Sequence, residues 1–302
     1  MRGRSLLDLD DLTPSELTSI LDRAEQYAAW PASREELKGV CVVNLFFEAS
    51  TRTYVSFAIA EQRLGADVIA LPPGSSSLGK GETIADTAVT LAAMGVRVIV
   101  TRHPESGFPY RLAEAFEGHV INAGDGSHAH PTQALLDLLT LREEFGRISG
   151  LKVAIVGDVL HSRVARSNLL GLRALGADVV LVGPPTLLPD SLAGGKVRIE
   201  RDLDAVLASV DAVMLLRVQR ERISAAVLPA LDDYASKYRM DAPRLAALAP
   251  HAIVMHPGPY NRGVELSEDV LAFERWRYAK QVSHGVNVRM AVLDFLVNGQ
   301  AA

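Results

Sequence analysis

Ser50, Thr51, Arg52 and Thr53 gather three hydroxyls around one guanidinium, directly after the apolar run Val42-Val43-Asn44-Leu45-Phe46-Phe47. Phe57, Ala60 and Leu64 then recur at helical spacing, so a buried strand passes through a tight loop into the first turn of a helix. Unpaired N–H groups and the positive dipole end of such a helix attract an anion, and Arg52 and the hydroxyls can complete its shell. The chemistry this predicts is phosphate binding. On these residues alone, a well-capped helix beside a solvated arginine fits equally well.

Other polar clusters also fall where an apolar run ends. Ser75-Ser76-Ser77-Leu78-Gly79-Lys80-Gly81-Glu82 presents one lysine on a small, flexible loop. Arg102-His103 follows a strand-like run at 96–101, and Asn122–Gln133 is a glycine-punctuated loop that delivers His130 and Gln133 to a helix start. Further on, Gly157-Asp158-Val159-Leu160-His161-Ser162-Arg163 is again strand then loop, without the spaced glycines of a dinucleotide fingerprint. Arg217 and Gln219 share one side of an extended segment, and Met255-His256-Pro257-Gly258-Pro259 offers stiffened backbone. Arginine is the natural two-pronged partner of carboxylates and phosphates, so the implied ligands are a small phosphorylated molecule and a small dicarboxylate. No carboxylate pair, Ser-His-Asp order or catalytic cysteine stands out. Such a site works by positioning and charge stabilisation. His128 and His130, with His103 and His256 elsewhere, lack the i, i+4 spacing and cysteine partner of a metal site, which favours a neutral His130 donating a hydrogen bond.

The elements that must position these residues alternate between short β-rich and helical runs, the signature of parallel α/β layers. Thr13, Pro14 and Glu16 open a first helix whose core face is Leu17, Ile20, Leu21 and Ala24. Strands are expected at 40–47, 67–71, 96–101 and 119–122, and helices at 56–64, 83–94 and from Pro131, the last with Ala134, Leu138, Leu141 and Phe145 on one face. A second α/β series begins near Val153 and continues through 179–182, 212–216 and 252–255, before a final helix at 286–297. The fold class is therefore α/β: two doubly wound parallel-sheet domains, at 1–135 and 136–285, with the C-terminal helix packing back on the first.

A length of 302 residues fits two domains, because single cores rarely grow beyond ~250 residues. Apolar residues at 48% and a net charge of −5 describe an ordinary soluble chain and give no sign of a nucleic-acid or membrane partner. One cysteine, Cys41, rules out an internal disulfide and suits a reducing cytoplasm; within its apolar run it reads as a buried structural thiol. Neither a secretory leader nor a spanning apolar run of ~18 residues stands out, so a cytoplasmic location is expected.

From end to end the chain resembles the aspartate/ornithine carbamoyltransferase family, and within it the aspartate-specific catalytic chains. Phe47–Thr53, Lys80-Gly81-Glu82, Arg102-His103-Pro104, His130-Pro131-Thr132-Gln133 and His256-Pro257-Gly258-Pro259 stand in that family's order. The resemblance implies that Ser50, Thr51, Arg52 and Thr53 hold the phosphate of carbamoyl phosphate. It implies that Thr53, Arg102 and His130 face the carbamoyl oxygen, and that Gln133 with the backbone of Gly258 and Pro259 holds the carbamoyl amino group. Arg163, Arg217 and Gln219 would clamp the carboxylates of aspartate. Lys80 and a loop serine, Ser76 by its spacing, would reach the site of an adjacent subunit, giving a homotrimer with shared sites. It further implies a carbamoyl-phosphate-binding first domain, an aspartate-binding second domain and no cofactor or metal. Whether trimers join regulatory chains or a dihydroorotase is left open.

The sequence departs from the family where Tyr54 replaces a usual arginine and Ala49 a usual proline. Two alternatives follow: a non-catalytic structural or regulatory relative, and a transferase for another amine such as ornithine. The sister family carries a cysteine in the His-x-x-Pro turn, where this chain has Gly258.

Overall fold

A computed structural model describes residues 3–29, 33–72, 81–193, 197–219 and 231–299. The chain divides into two compact units, Met1–Leu139 with Val282–Ala302, and Thr140–Gln281.

In the first unit, helix α1 (Pro14–Ala29) starts with the expected capping box: Thr13 N donates to Glu16 Oε2 at 2.9 Å, and Glu16 N to Thr13 Oγ1 at 3.3 Å. Its expected core face of Leu17, Ile20, Leu21 and Ala24 is buried. Strands β1 (Cys41–Phe46), β2 (Asp67–Ala70), β3 (Val96–His103) and β4 (His119–Asp125) form a parallel sheet in the order β2-β1-β3-β4. Three helices connect them: α2 (Thr51–Arg63), α3 (Ile84–Ala93) and α4 (Phe108–Ala115). Near-continuous apolar strands such as Val42–Leu45, interrupted only by Asn44, and Val98–Val100 are the mark of a sheet covered on both faces, and their side chains are buried.

Helix α5 (Pro131–Phe145) has the expected bounds but not the expected one-sided burial: every residue from Pro131 to Leu141 is buried, while Phe145 is half-exposed. Polar Thr132, Asp137 and Thr140 are inside with the leucines, so no single stripe could have marked the buried face. Cys41 is only partly buried at the start of β1, and desolvation together with Asp67 pushes its thiol up, away from a reactive thiolate.

The second unit holds the sheet β7-β6-β5-β8-β9, all parallel. Its strands are β5 (Lys152–Val156), β6 (Asp178–Val182), β7 (Arg198–Glu200), β8 (Ala212–Leu215) and β9 (Ile253–Met255). Helices α6 (Arg163–Ala174), α7 (Leu231–Tyr238) and α8 (Ala242–Ala247) lie between them in the chain, and α9 (Glu268–Leu271) follows β9. Periodicity singles out none of these helices, nor β7. Helix α6 buries Arg163, Ser167 and Asn168, polar residues that blur an apolar stripe.

The last helix, α10 (Tyr278–Asn298), starts earlier than expected. Its later part packs against α1 within the first unit: Arg23 Nε and Tyr27 Oη both donate to Asp294 Oδ2, at 2.8 and 2.9 Å.

Candidate active site

Three strand ends of the first unit converge on one end of its sheet. Phe46 of β1 pairs with Arg102 of β3, and His103 of β3 pairs with Asp125 of β4. The residues that follow these strands, far apart in sequence, therefore become neighbours at the carboxyl edge, where open parallel sheets bind ligands.

At the end of β1, Ser50 caps α2, accepting from Thr53 N at 3.4 Å. Thr51 is exposed, Arg52 half-buried and Thr53 buried. Ser56 Oγ turns back to the carbonyls of Arg52 and Thr53, at 2.5 and 3.0 Å, securing the first turn from within. The helix thus presents its first N–H groups beside an accessible arginine, the geometry of an anion site.

Arg102 is buried, with Nη2 donating to Glu48 Oε1 at 2.9 Å and Nη1 to Ala123 O at 3.2 Å. These bonds hold the guanidinium between the loop after β1 and the last part of β4. His103 does something else. It stacks flat on Phe108, 3.9 Å between ring centres, its Nδ1 accepts from Glu105 N at 3.0 Å, and burial lowers its pKa.

His130 is buried, and its carbonyl accepts from Gln133 N and Ala134 N at 3.1 and 3.2 Å, opening α5. The loop before it hangs on Asp125, which has no exposed surface. Asp125 accepts from Asn122 Nδ2, Gly107 N and Ala129 N at 2.8, 2.7 and 3.1 Å. His128 turns to the same carboxylate at 3.2 Å. Among the described residues, no cluster of three or more His, Cys, Asp or Glu side chains is placed to hold a metal.

The second unit gathers its candidates in the same way, at the ends of neighbouring strands β5, β8 and β9. Ser162 caps α6, accepting from Ala165 N at 3.1 Å, which sets Arg163 as the first residue of that helix. Leu216 and Val218 are buried while Arg217 and Gln219 are partly exposed, so the latter two do share a side. Gln219 Nε2 donates to His161 O at 3.1 Å. After β9, His256 Nδ1 accepts from Gly258 N at 2.8 Å and holds the turn that contains Gly258 and Pro259.

Two buried acids hold this edge together, and neither is signalled by the sequence. Asp158, raised in pKa by desolvation, accepts from His161 Nδ1 at 2.8 Å and from Gln219 N at 3.4 Å. Glu265 accepts from Val218 N, Asn261 N and Asn261 Nδ2 at 2.8, 2.6 and 2.7 Å, tying the Arg217–Gln219 segment to the turn after β9. An acidic residue in a loop reads as solvated; only its tertiary partners reveal that it is a hub. Lys80 and Ser76 lie outside the described residues.

A doubly built parallel α/β chain with a phosphate-type helix start in one unit and an arginine pair in the other has the form of a carbamoyltransferase. The chain belongs to the aspartate/ornithine carbamoyltransferase family. That family's carbamoyl-P binding domain matches residues 4–143, and its Asp/Orn binding domain matches residues 149–296. The chain is 52% identical to an aspartate carbamoyltransferase catalytic subunit of Salinispora tropica over 98% of each chain. It is 51% identical to that of Gluconobacter oxydans, over 97% of this chain and 95% of that one. Its structure resembles aspartate transcarbamoylase from Trypanosoma cruzi crystallised with carbamoyl phosphate and aspartate: TM-score 0.87 and 32% identity, over 97% of this chain and 96% of that one. The same protein in complex with N-(phosphonacetyl)-L-aspartic acid gives a TM-score of 0.87 at 33% identity, over 97% and 95%.

Proposed function

We propose that this chain transfers the carbamoyl group of carbamoyl phosphate to the amine of L-aspartate, forming N-carbamoyl-L-aspartate and phosphate. The observation that carries this reading is the shared sheet edge of Ser50–Thr53, Arg102 and His130, an anion site with a buried cation and an imidazole beside it.

The phosphate binds at the start of α2 through the hydroxyls of Ser50, Thr51 and Thr53 and the Arg52 guanidinium. The neutral amine of aspartate attacks the carbamoyl carbon. As the C–N bond forms, negative charge gathers on the carbonyl oxygen, where Thr53, Arg102 and His130 stabilise it in a water-poor setting. Arg102 suits this task because Glu48 and Ala123 O already hold it, so little reorganisation is needed. Gln133 and the backbone of Gly258 and Pro259 hold the carbamoyl amino group. The tetrahedral intermediate then collapses, the C–O bond to phosphate breaks, and the leaving phosphate accepts the amine proton. Arg163, Arg217 and Gln219 bind the two carboxylates of aspartate, an arrangement that favours an acidic second substrate over ornithine.

By this reading the first unit is the carbamoyl-phosphate-binding domain and the second the aspartate-binding domain. The working form is a cytoplasmic homotrimer, with Ser76 and Lys80 entering an adjacent subunit's site. No described helix is long and apolar enough to cross a membrane. A colorimetric assay for carbamoyl-aspartate on the purified chain tests the reaction. Turnover with ornithine and none with aspartate would overturn it, and no turnover with either would leave a non-catalytic relative. Native mass by light scattering tests the trimer.

A further inference from the structure

Gln133 and Asp137 lie one turn apart on α5, and Gln133 Nε2 donates to Asp137 Oδ1 at 3.0 Å inside the protein. Asp137 has no exposed surface, and Gln133 is 8% exposed. An ionised carboxylate can only accept, so the amide nitrogen must be the end that meets Asp137. The amide oxygen of Gln133 is then turned the other way, as an acceptor.

Arg289 on α10 is also buried and interacts electrostatically with both Arg102 and Asp137. Arg289 itself is held in place. Its Nη1 donates to Gly285 O at 2.8 Å, and its guanidinium lies over the Phe57 ring at 4.9 Å. A Cβ on Gly285 would stand 2.5 Å from that Nη1, so the glycine makes room for the folded-back arginine.

We propose that Asp137 is a positioning residue that locks the Gln133 amide with its oxygen outward, and that this lock selects a carbamoyl donor over an acetyl donor. A carbamoyl group offers an NH2 to that oxygen; an acetyl group offers a methyl, which would leave the acceptor unpaired. An amide free to turn over could offer either end and would discriminate less. The inference rests on the reading that Gln133 meets the carbamoyl amino group.

The test compares the native chain with Asp137→Asn, Gln133→Leu and the double variant. Two quantities are read: kcat/KM for carbamoyl phosphate at saturating aspartate, and the inhibition constant of acetyl phosphate. Asp137→Asn is expected to lower kcat/KM for carbamoyl phosphate by roughly tenfold while acetyl phosphate inhibition stays within about twofold. Gln133→Leu should do the same, with little further loss in the double variant. A purely structural role would weaken both ligands together, because both share the phosphate anchors. If Asp137→Asn does not yield soluble protein, Asp137→Ser, which also removes the fixed acceptor, takes its place. Unchanged discrimination in the Asp137 variants with loss in Gln133→Leu overturns the lock alone. Unchanged discrimination in Gln133→Leu overturns the Gln133 reading and the lock with it. Equal loss for both ligands in every soluble Asp137 variant also overturns the lock.

Discussion

The ring of Tyr54, in the first turn of α2, meets the ring of Phe46, the last residue of β1, edge to face with centres 5.3 Å apart. The residue that departs from the usual arginine of this family is therefore engaged in a local aromatic contact that fastens the first turn of α2 to the strand before it. Such a pair stabilises by about 0.5–1.5 kcal/mol beyond simple burial. Tyr54→Ala should lower the melting temperature by a few degrees and leave kcat/KM for carbamoyl phosphate within about threefold. Calorimetry and steady-state kinetics on the same sample check both halves. A loss of turnover beyond about tenfold with unchanged stability would mean that the ring acts on the substrate instead.

Arg52, proposed to meet the phosphate, is half-buried beside the first N–H groups of α2. Arg52→Ala should reduce kcat/KM for carbamoyl phosphate by about 10²–10³, the usual loss for a group that meets developing charge. Its effect on stability should be small. Inorganic phosphate should raise the melting temperature of the native chain much more than that of the variant. Equal protection of the two would remove Arg52 from the phosphate site.

Glu61 of α2 is fully buried, with Asn44 Nδ2 donating to its Oε2 at 2.7 Å, and burial pushes its carboxyl up to about 7. In the unfolded chain the group titrates near 4.5. The folded state therefore binds the proton more tightly, so Glu61's contribution to stability is fully present below pH 4.5 and is lost as pH rises through about 7. The full cost above that range is about 3 kcal/mol. Glu61→Gln should be more stable than the native chain at pH 8, with the advantage shrinking steadily toward pH 5. Urea unfolding across that range reads the difference directly, and a pH-independent difference would contradict the buried-carboxyl assignment.

Glu265 ties Val218 N and Asn261 together in the second unit. Glu265→Ala leaves buried donors without this acceptor, at about 1–3 kcal/mol each, and frees the Arg217–Gln219 segment. The KM for aspartate should rise by roughly tenfold, while protection by phosphate, proposed to bind in the first unit, stays unchanged. Loss of both would point to general unfolding.

Much of the fold was legible in the sequence because its signals are local. The capping box at Thr13 and Glu16, the apolar runs that became β1, β3, β5 and β8, and the helix opened by Pro131 each depend on residues within a few positions of one another. Helices such as α6 escaped notice for the converse reason: burial of Arg163, Ser167 and Asn168 depends on distant partners that periodicity does not see.

The same division holds for the site. The sequence by itself determined which groups are available for the proposed chemistry: the hydroxyls of Ser50, Thr51 and Thr53, the guanidiniums of Arg52, Arg102, Arg163 and Arg217, and the His130 imidazole are all suited to meeting anions. Only the tertiary structure decided their arrangement. The order β2-β1-β3-β4 set Arg102 beside the loop after β1, and His103 was turned onto Phe108. Asp125, Asp137, Asp158 and Glu265 became buried acceptors that aim backbone and side chains. The physical reason is range: a helix cap or an apolar stripe is encoded within a turn or two. Buried carboxylates such as Asp158 and Glu265 add to their local donors others, Gln219 N and Val218 N, that the fold brings from tens of residues away.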